Sequence, residues 1–69
     1  IGVLSEEEIN LLHTYYDNNL SLKKTAEELF IHKNTLQYRL DKITQKTGEN
    51  PKDFHDTVKL YVALKLQAL

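Results

Sequence analysis

Cysteine is absent from this sequence, proline occurs once and glycine twice. Without cysteine there is no disulfide and no thiolate to hold a metal. So little proline and glycine argues against a turn-rich β-protein, while abundant Leu, Lys and Glu favour helix. No apolar run approaches the roughly 20 residues of a membrane span, and no secretory signal pattern is present. Glycine-rich phosphate loops are missing too. His13, His32 and His55 have no i, i+4 pair among them, so no metal-binding pattern emerges and no metal or cofactor is expected. Ser5, Ser21, Asp53 and Asp56 read as helix caps rather than catalytic groups, and 69 residues leave little room for an enzyme pocket. The expectation is one small domain that is not an enzyme. Because it starts with Ile1 and not Met, it reads as a piece of a longer intracellular protein.

Excess positive charge is also lacking, since the formal net charge is −1. Its distribution is uneven, however. Residues 1–17 carry Glu6, Glu7, Glu8 and Asp17 with no cation. Residues 18–48 carry Lys23, Lys24, Lys33, Arg39, Lys42 and Lys46 against Glu27, Glu28 and Asp41, and residues 49–69 balance. The basic excess therefore falls on the middle of the chain.

Apolar spacing predicts four helices. The "SEEE" at 5–8 is a capping box that opens the first, with Ile9, Leu12 and Tyr16 on one face, and "DNN" at 17–19 ends it. Ser21 caps a short second helix with Leu22, Ala26 and Leu29 in line. After a tight connection at Phe30, Ile31 and His32, a third helix over residues 33–47 sets Leu36, Leu40 and Ile43 inward. Gly48 suits its C-terminal stop. Pro51 keeps "ENP" a loop, and Asp53 caps a fourth helix. There Phe54, Val58, Tyr61, Val62 and Leu64 are expected to pack one side, with Leu60, Ala63, Leu66 and Leu69 widening the stripe beyond what so small a domain can cover.

Two helices joined by about three residues must cross steeply, which is helix-turn-helix geometry. Ala26 allows the close approach and Ile31 plugs the angle. With Leu36 inward, Asn34, Tyr38 and Gln45 point away from the body at 3.6 residues per turn. Thr35, Arg39, Asp41 and Lys42 lie along the flanks. Amide, hydroxyl and cationic donors of this kind read base edges in a major groove and grip phosphates, chiefly from the start of the second helix of the unit, here "HKNT".

The stretch "TAEELFIHKNTLQYRLDKITQKTG" resembles the C-terminal helix-turn-helix of PucR-type bacterial transcription regulators, a group that includes purine-catabolism and sugar-diacid regulators. Thr25, Ala26, Leu29, His32, Asn34, Thr35, Leu36, Tyr38, Arg39, Leu40, Thr47 and Gly48 carry the resemblance, and a more distant one links it to Fis-type helices. It implies an all-α, four-helix domain spanning residues 1–69, the C-terminal fragment of a larger regulator that binds double-stranded DNA in the cytoplasm, at the nucleoid. An upstream sensor domain and a homodimer or larger assembly are implied with it. Lys33, Asn34, Thr35 and Tyr38 are the candidate base contacts. His32, Arg39 and Lys42 are candidates for phosphates, joined by Ser21, Lys23 and Lys24 from the second helix. Four positions depart from the pattern. Phe30 stands where many such turns have glycine, so the turn must either avoid positive φ or bear strain. Ile31 replaces the common valine. Lys33 and Gln37 replace arginines, which gives a point charge and a neutral group in place of bidentate forks.

Plainer readings stand beside these. A basic helix face can be merely solvated, His32 merely a cap, the Tyr38 ring merely packed, and Arg39 paired with a carboxylate of the first or second helix. The competing function is a helical interaction or dimerisation module that uses the apolar face of the last helix. Structured RNA fits less well, because its major groove is narrow.

Overall fold

Four helices follow one another in the computed structural model, which describes residues 3–68 and the side chains of residues 3–66. They are α1 (Glu6–Asp17), α2 (Leu22–Leu29), α3 (Lys33–Thr47) and α4 (Phe54–Ala68), and there is no strand among the described residues. Every start is capped by a side chain. Ser5 accepts from the Glu8 amide at 3.2 Å while Glu8 Oε1 accepts from the Ser5 amide at 2.9 Å, a closed capping box. Ser21 Oγ accepts from the Lys24 amide. The His32 ring caps α3, and Asp53 accepts from the Asp56 amide at the start of α4.

The core is built from Leu11, Leu12 and Tyr15 of α1, Ala26 of α2, Leu36, Leu40 and Ile43 of α3, Leu64 of α4, and Leu4 ahead of α1. Leu12, Leu36, Leu40 and Ile43 are completely buried, each worth roughly 1.5–3 kcal/mol of transfer free energy. The inner line of α3 is the one its spacing predicts. In α1 the buried line is turned about a quarter of the way round: Leu11, Leu12 and Tyr15 are buried, whereas Ile9 and Tyr16 are only half-buried. The helix is covered on two sides, and Tyr16 looks toward α4. Its hydroxyl lies 3.3 Å from Thr57 Oγ1 and its ring meets Tyr61 edge-on at 5.6 Å.

For α4 the expected face is overturned at every position but Leu64. Its buried residues are Thr57, Leu60 and Leu64, while Phe54, Val58, Tyr61 and Val62 stand exposed together with Leu66. Spacing alone cannot choose between two adjacent apolar stripes on one helix. On the buried side the Thr57 hydroxyl donates to the Pro51 carbonyl, so this polar side chain is satisfied where it goes inward with Leu60 and Leu64. Leu69 lies outside the described residues.

Both ends of the eight-residue α2 are bounded by left-handed backbone. Asn19 and Leu20 precede it, with φ of 54° and 65°, and Phe30 follows it at φ 58°. The Leu20 amide returns to the Tyr15 carbonyl at 2.9 Å and the Ile31 amide to the Ala26 carbonyl at 3.0 Å, the long closing bonds of Schellman turns. Phe30 therefore takes the strained alternative. Its left-handed conformation costs roughly 1–2 kcal/mol in a residue with a Cβ, and its ring is 94 % exposed, so packing returns little. Phe30→Gly is expected to stabilise the fold by about 0.5–1 kcal/mol, measured by urea denaturation. A loss of stability instead would mean that the ring is held by contacts.

Candidate nucleic-acid interface

The outer surface of α3 is set by what the helix buries. With Leu36, Leu40 and Ile43 inward, Asn34, Tyr38 and Gln45 are exposed on the far side. Tyr38 is 61 % exposed, which removes the reading of a packed ring, and Lys42 Nζ lies 5.6 Å from its centroid. Thr35, Arg39, Lys42 and Lys46 recur at intervals of four, three and four along one flank and are exposed. The other flank is nearly neutral, because Gln37 is half-buried and Asp41 is paired with Lys52 at 3.5 Å.

The cationic flank borders α1. Ser5, Glu7, Glu8, Leu11, Arg39, Lys42 and Lys46 line a cleft of about 380 Å³. Across it Lys46 donates to Glu8 Oε1 at 2.9 Å, the same oxygen that closes the capping box. Burial pulls the Glu8 carboxyl upward, but the bonds from Lys46 and Ser5 outweigh it and hold the group below its ordinary value. Being depressed, it adds stability at neutral pH that is lost as pH falls through its folded pKa. Lys46 is thus engaged within the domain. Arg39 and Lys42 form no ion pair among the described residues, so Arg39 is not taken up by a carboxylate. Its side chain also borders a second cleft with Glu7, Asn10, Leu29 and Ile31.

At the start of α3, His32 Nδ1 accepts the Asn34 amide at 3.0 Å. An accepting Nδ1 carries no proton, so the neutral ring holds its proton on Nε2, as a free donor. Lys33, Asn34 and Thr35 follow, all exposed. At the start of α2, Lys23 and Lys24 are exposed and Ser21 is half-buried. Its oxygen is used in capping and its hydroxyl proton remains available. The residues singled out in the sequence thus lie outside the core, on or beside the first turns of α2 and α3 and, for Tyr38, Arg39 and Lys42, farther along the outer side of α3. The Glu8–Lys46 pair was not anticipated. It joins residues 38 apart, and no local spacing signals such a contact. No three His, Asp or Glu side chains cluster as a metal site among the described residues, and no described helix is long and apolar enough to cross a membrane.

The family described as the PucR C-terminal helix-turn-helix domain matches residues 9–66. Among curated proteins the chain is similar to the purine catabolism regulatory protein of Bacillus subtilis (strain 168), at 37% identity over 67 residues, covering 93% of this chain and 13% of that protein. It is 44% identical over 62 residues to the proline-responsive transcriptional activator PutR of the same organism, covering 90% and 15%. It is 44% identical over 55 residues to the carbohydrate diacid regulator of Escherichia coli (strain K12), covering 80% and 14%. The chain therefore spans only a small part of the length of these relatives. No solved structure matches it at a significant level.

Proposed function

The chain belongs to the PucR C-terminal helix-turn-helix family of transcription regulators, and on that premise we propose that it recognises a specific sequence of double-stranded DNA, with α3 in the major groove. Lys33, Asn34, Thr35 and Tyr38 meet base edges. His32, through its Nε2–H, and Arg39 and Lys42 meet phosphates on one side. Ser21, Lys23 and Lys24 meet phosphates from the start of α2. The observation that carries this reading is the division of α3: an apolar face wholly buried, a polar face wholly open, and two unpaired cations on the flank between them. A net charge of −1 does not oppose it, because the carboxylates of α1 offset charge on the whole chain without covering the open face of α3. The domain serves as the C-terminal DNA-binding part of a larger regulator with an upstream sensor domain, working as a homodimer or larger assembly at the cytoplasmic nucleoid.

Titration into duplex DNA over a range of salt tests the proposal. If about three to five phosphates are met, log affinity should fall with log salt at a slope of about −3 to −4.5. A slope indistinguishable from zero would leave only a protein–protein role.

A further inference from the structure

Of the cations on the flank of α3, one is already taken. Arg39, Lys42 and Lys46 follow one another at intervals of three and four, so Lys46 continues the line one turn, about 6 Å, beyond Lys42. All of them line the cleft between α1 and α3, where α1 contributes Glu7 and Glu8. Glu8 holds Lys46, Oε1 to Nζ at 2.9 Å, and the pair lies at the surface, with side chains 42 % exposed for Lys46 and 15 % for Glu8. An ion pair this open adds little to stability. The same Oε1 accepts from the Ser5 amide at 2.9 Å and closes the capping box. That second duty does not need a charge, because glutamine closes the same box. The negative charge of Glu8 is therefore more than the fold requires, and it is spent on Lys46.

We infer that Glu8 limits the affinity of this domain for DNA: its carboxylate takes the place of a backbone phosphate on Lys46 and ends the run of phosphate contacts on this flank at Lys42. The inference rests on the proposed function, in which Arg39 and Lys42 meet phosphates along that flank. A strand that passes Arg39 and Lys42 comes next to Lys46. There a phosphate oxygen has to displace a carboxylate oxygen that makes the same charge-assisted bond. The displaced carboxylate would then stand unpaired beside the DNA backbone, where like charges repel. It cannot swing clear without opening the capping box, since one oxygen serves both partners. Glu8 is thus a built-in competitor of DNA for one lysine, and it leaves Arg39 and Lys42 untouched, because neither forms an ion pair among the described residues.

Glu8→Gln tests this, since it keeps the cap and removes the charge. The variant should melt only a few degrees below the parent. Titrated into the same duplex, it should bind about three- to tenfold tighter at low salt, with a salt slope steeper by about one. The gain should therefore shrink by about three- to fourfold as salt rises from about 50 to about 200 mM. Adding Lys46→Ala to Glu8→Gln should return the slope to that of the parent. Glu6→Gln is the control for net charge. Glu6 lies in the same turn and is exposed, with no ion pair among the described residues, so its removal should leave the slope as it was. A parent-like slope in Glu8→Gln, a steeper slope that survives Lys46→Ala, or an equal change from Glu6→Gln would each overturn the role of Glu8. None of these outcomes bears on the proposed function, which fails instead if the parent chain shows no salt-dependent binding to the duplex.

Discussion

Leu36→Ala should lower the stability of the domain by about 2–5 kcal/mol, out of a total of roughly 3–10 kcal/mol expected at this size. In a domain this small each kcal/mol moves the melting temperature by about 4–8 °C, so the variant should melt at least about 10 °C lower or fail to fold at physiological temperature. Leu36 is wholly buried in the first turn of α3, in one cluster with Leu12, Ala26, Leu40 and Ile43. The cavity left by alanine has little chance to close. Relaxation would require α2 or α3 to move, and α2 is stopped at both ends by hydrogen-bonded left-handed turns. Thermal melting by circular dichroism checks it. A melting point within a few degrees of the parent would mean that α3 does not anchor the fold through this residue.

Lys33→Ala and Asn34→Ala should do the reverse, leaving the fold intact and damaging DNA binding. The His32 cap uses the backbone amide of Asn34, so removing the Asn34 side chain leaves the cap in place. Lys33 is the first residue of α3, whose first turn has no acidic residue. A cation there opposes the helix dipole by about 0.3–1 kcal/mol, so Lys33→Ala should raise the melting point slightly while it lowers affinity. Opposite signs in the two measurements are what a binding role predicts and a structural role does not. Loss of a base contact should cost about 1–3 kcal/mol and relax preference at one base pair, whereas loss of a phosphate contact should weaken all sequences alike and reduce the salt slope by about one. Melting and DNA titration on the same two variants decide the matter. Parent-like affinity in both would mean that α3 is not the reading helix.

The helix count, the caps at Ser5, Ser21 and Asp53 and the buried face of α3 could be read from the residues because each is local. Ser5 and Glu8 are three apart, and Leu36, Leu40 and Ile43 share one stripe whichever neighbour covers them. That the polar residues of α3 proposed to meet DNA lie outside the core was legible for a related reason: on a helix with a single apolar stripe, the polar remainder has one place to go. Where the reading failed, the answer lay in another part of the chain. The inward face of α4 goes with the Thr57 hydroxyl meeting the Pro51 carbonyl, and the quarter-turn in α1 with Tyr16 meeting Thr57 and Tyr61. The pairing of Lys46 with Glu8 depends on how α1 and α3 lie against each other. None of these leaves a mark in local spacing.

The left-handed residues that bound α2 change what a substitution scan of this domain would mean. Asn19, Leu20 and Phe30 are all exposed, and exposed positions ordinarily accept almost any residue. These should instead accept glycine and asparagine and reject valine, isoleucine and threonine, whose branched Cβ fits φ near +60° worst. Intolerance would thus fall on surface positions flanking the proposed DNA-contacting residues of α2 and α3, where it invites interpretation as ligand contact. Its signature is different: it follows the shape of the side chain at Cβ and ignores its charge, whereas at Arg39 or Lys42 a contact with phosphate would follow charge and ignore shape.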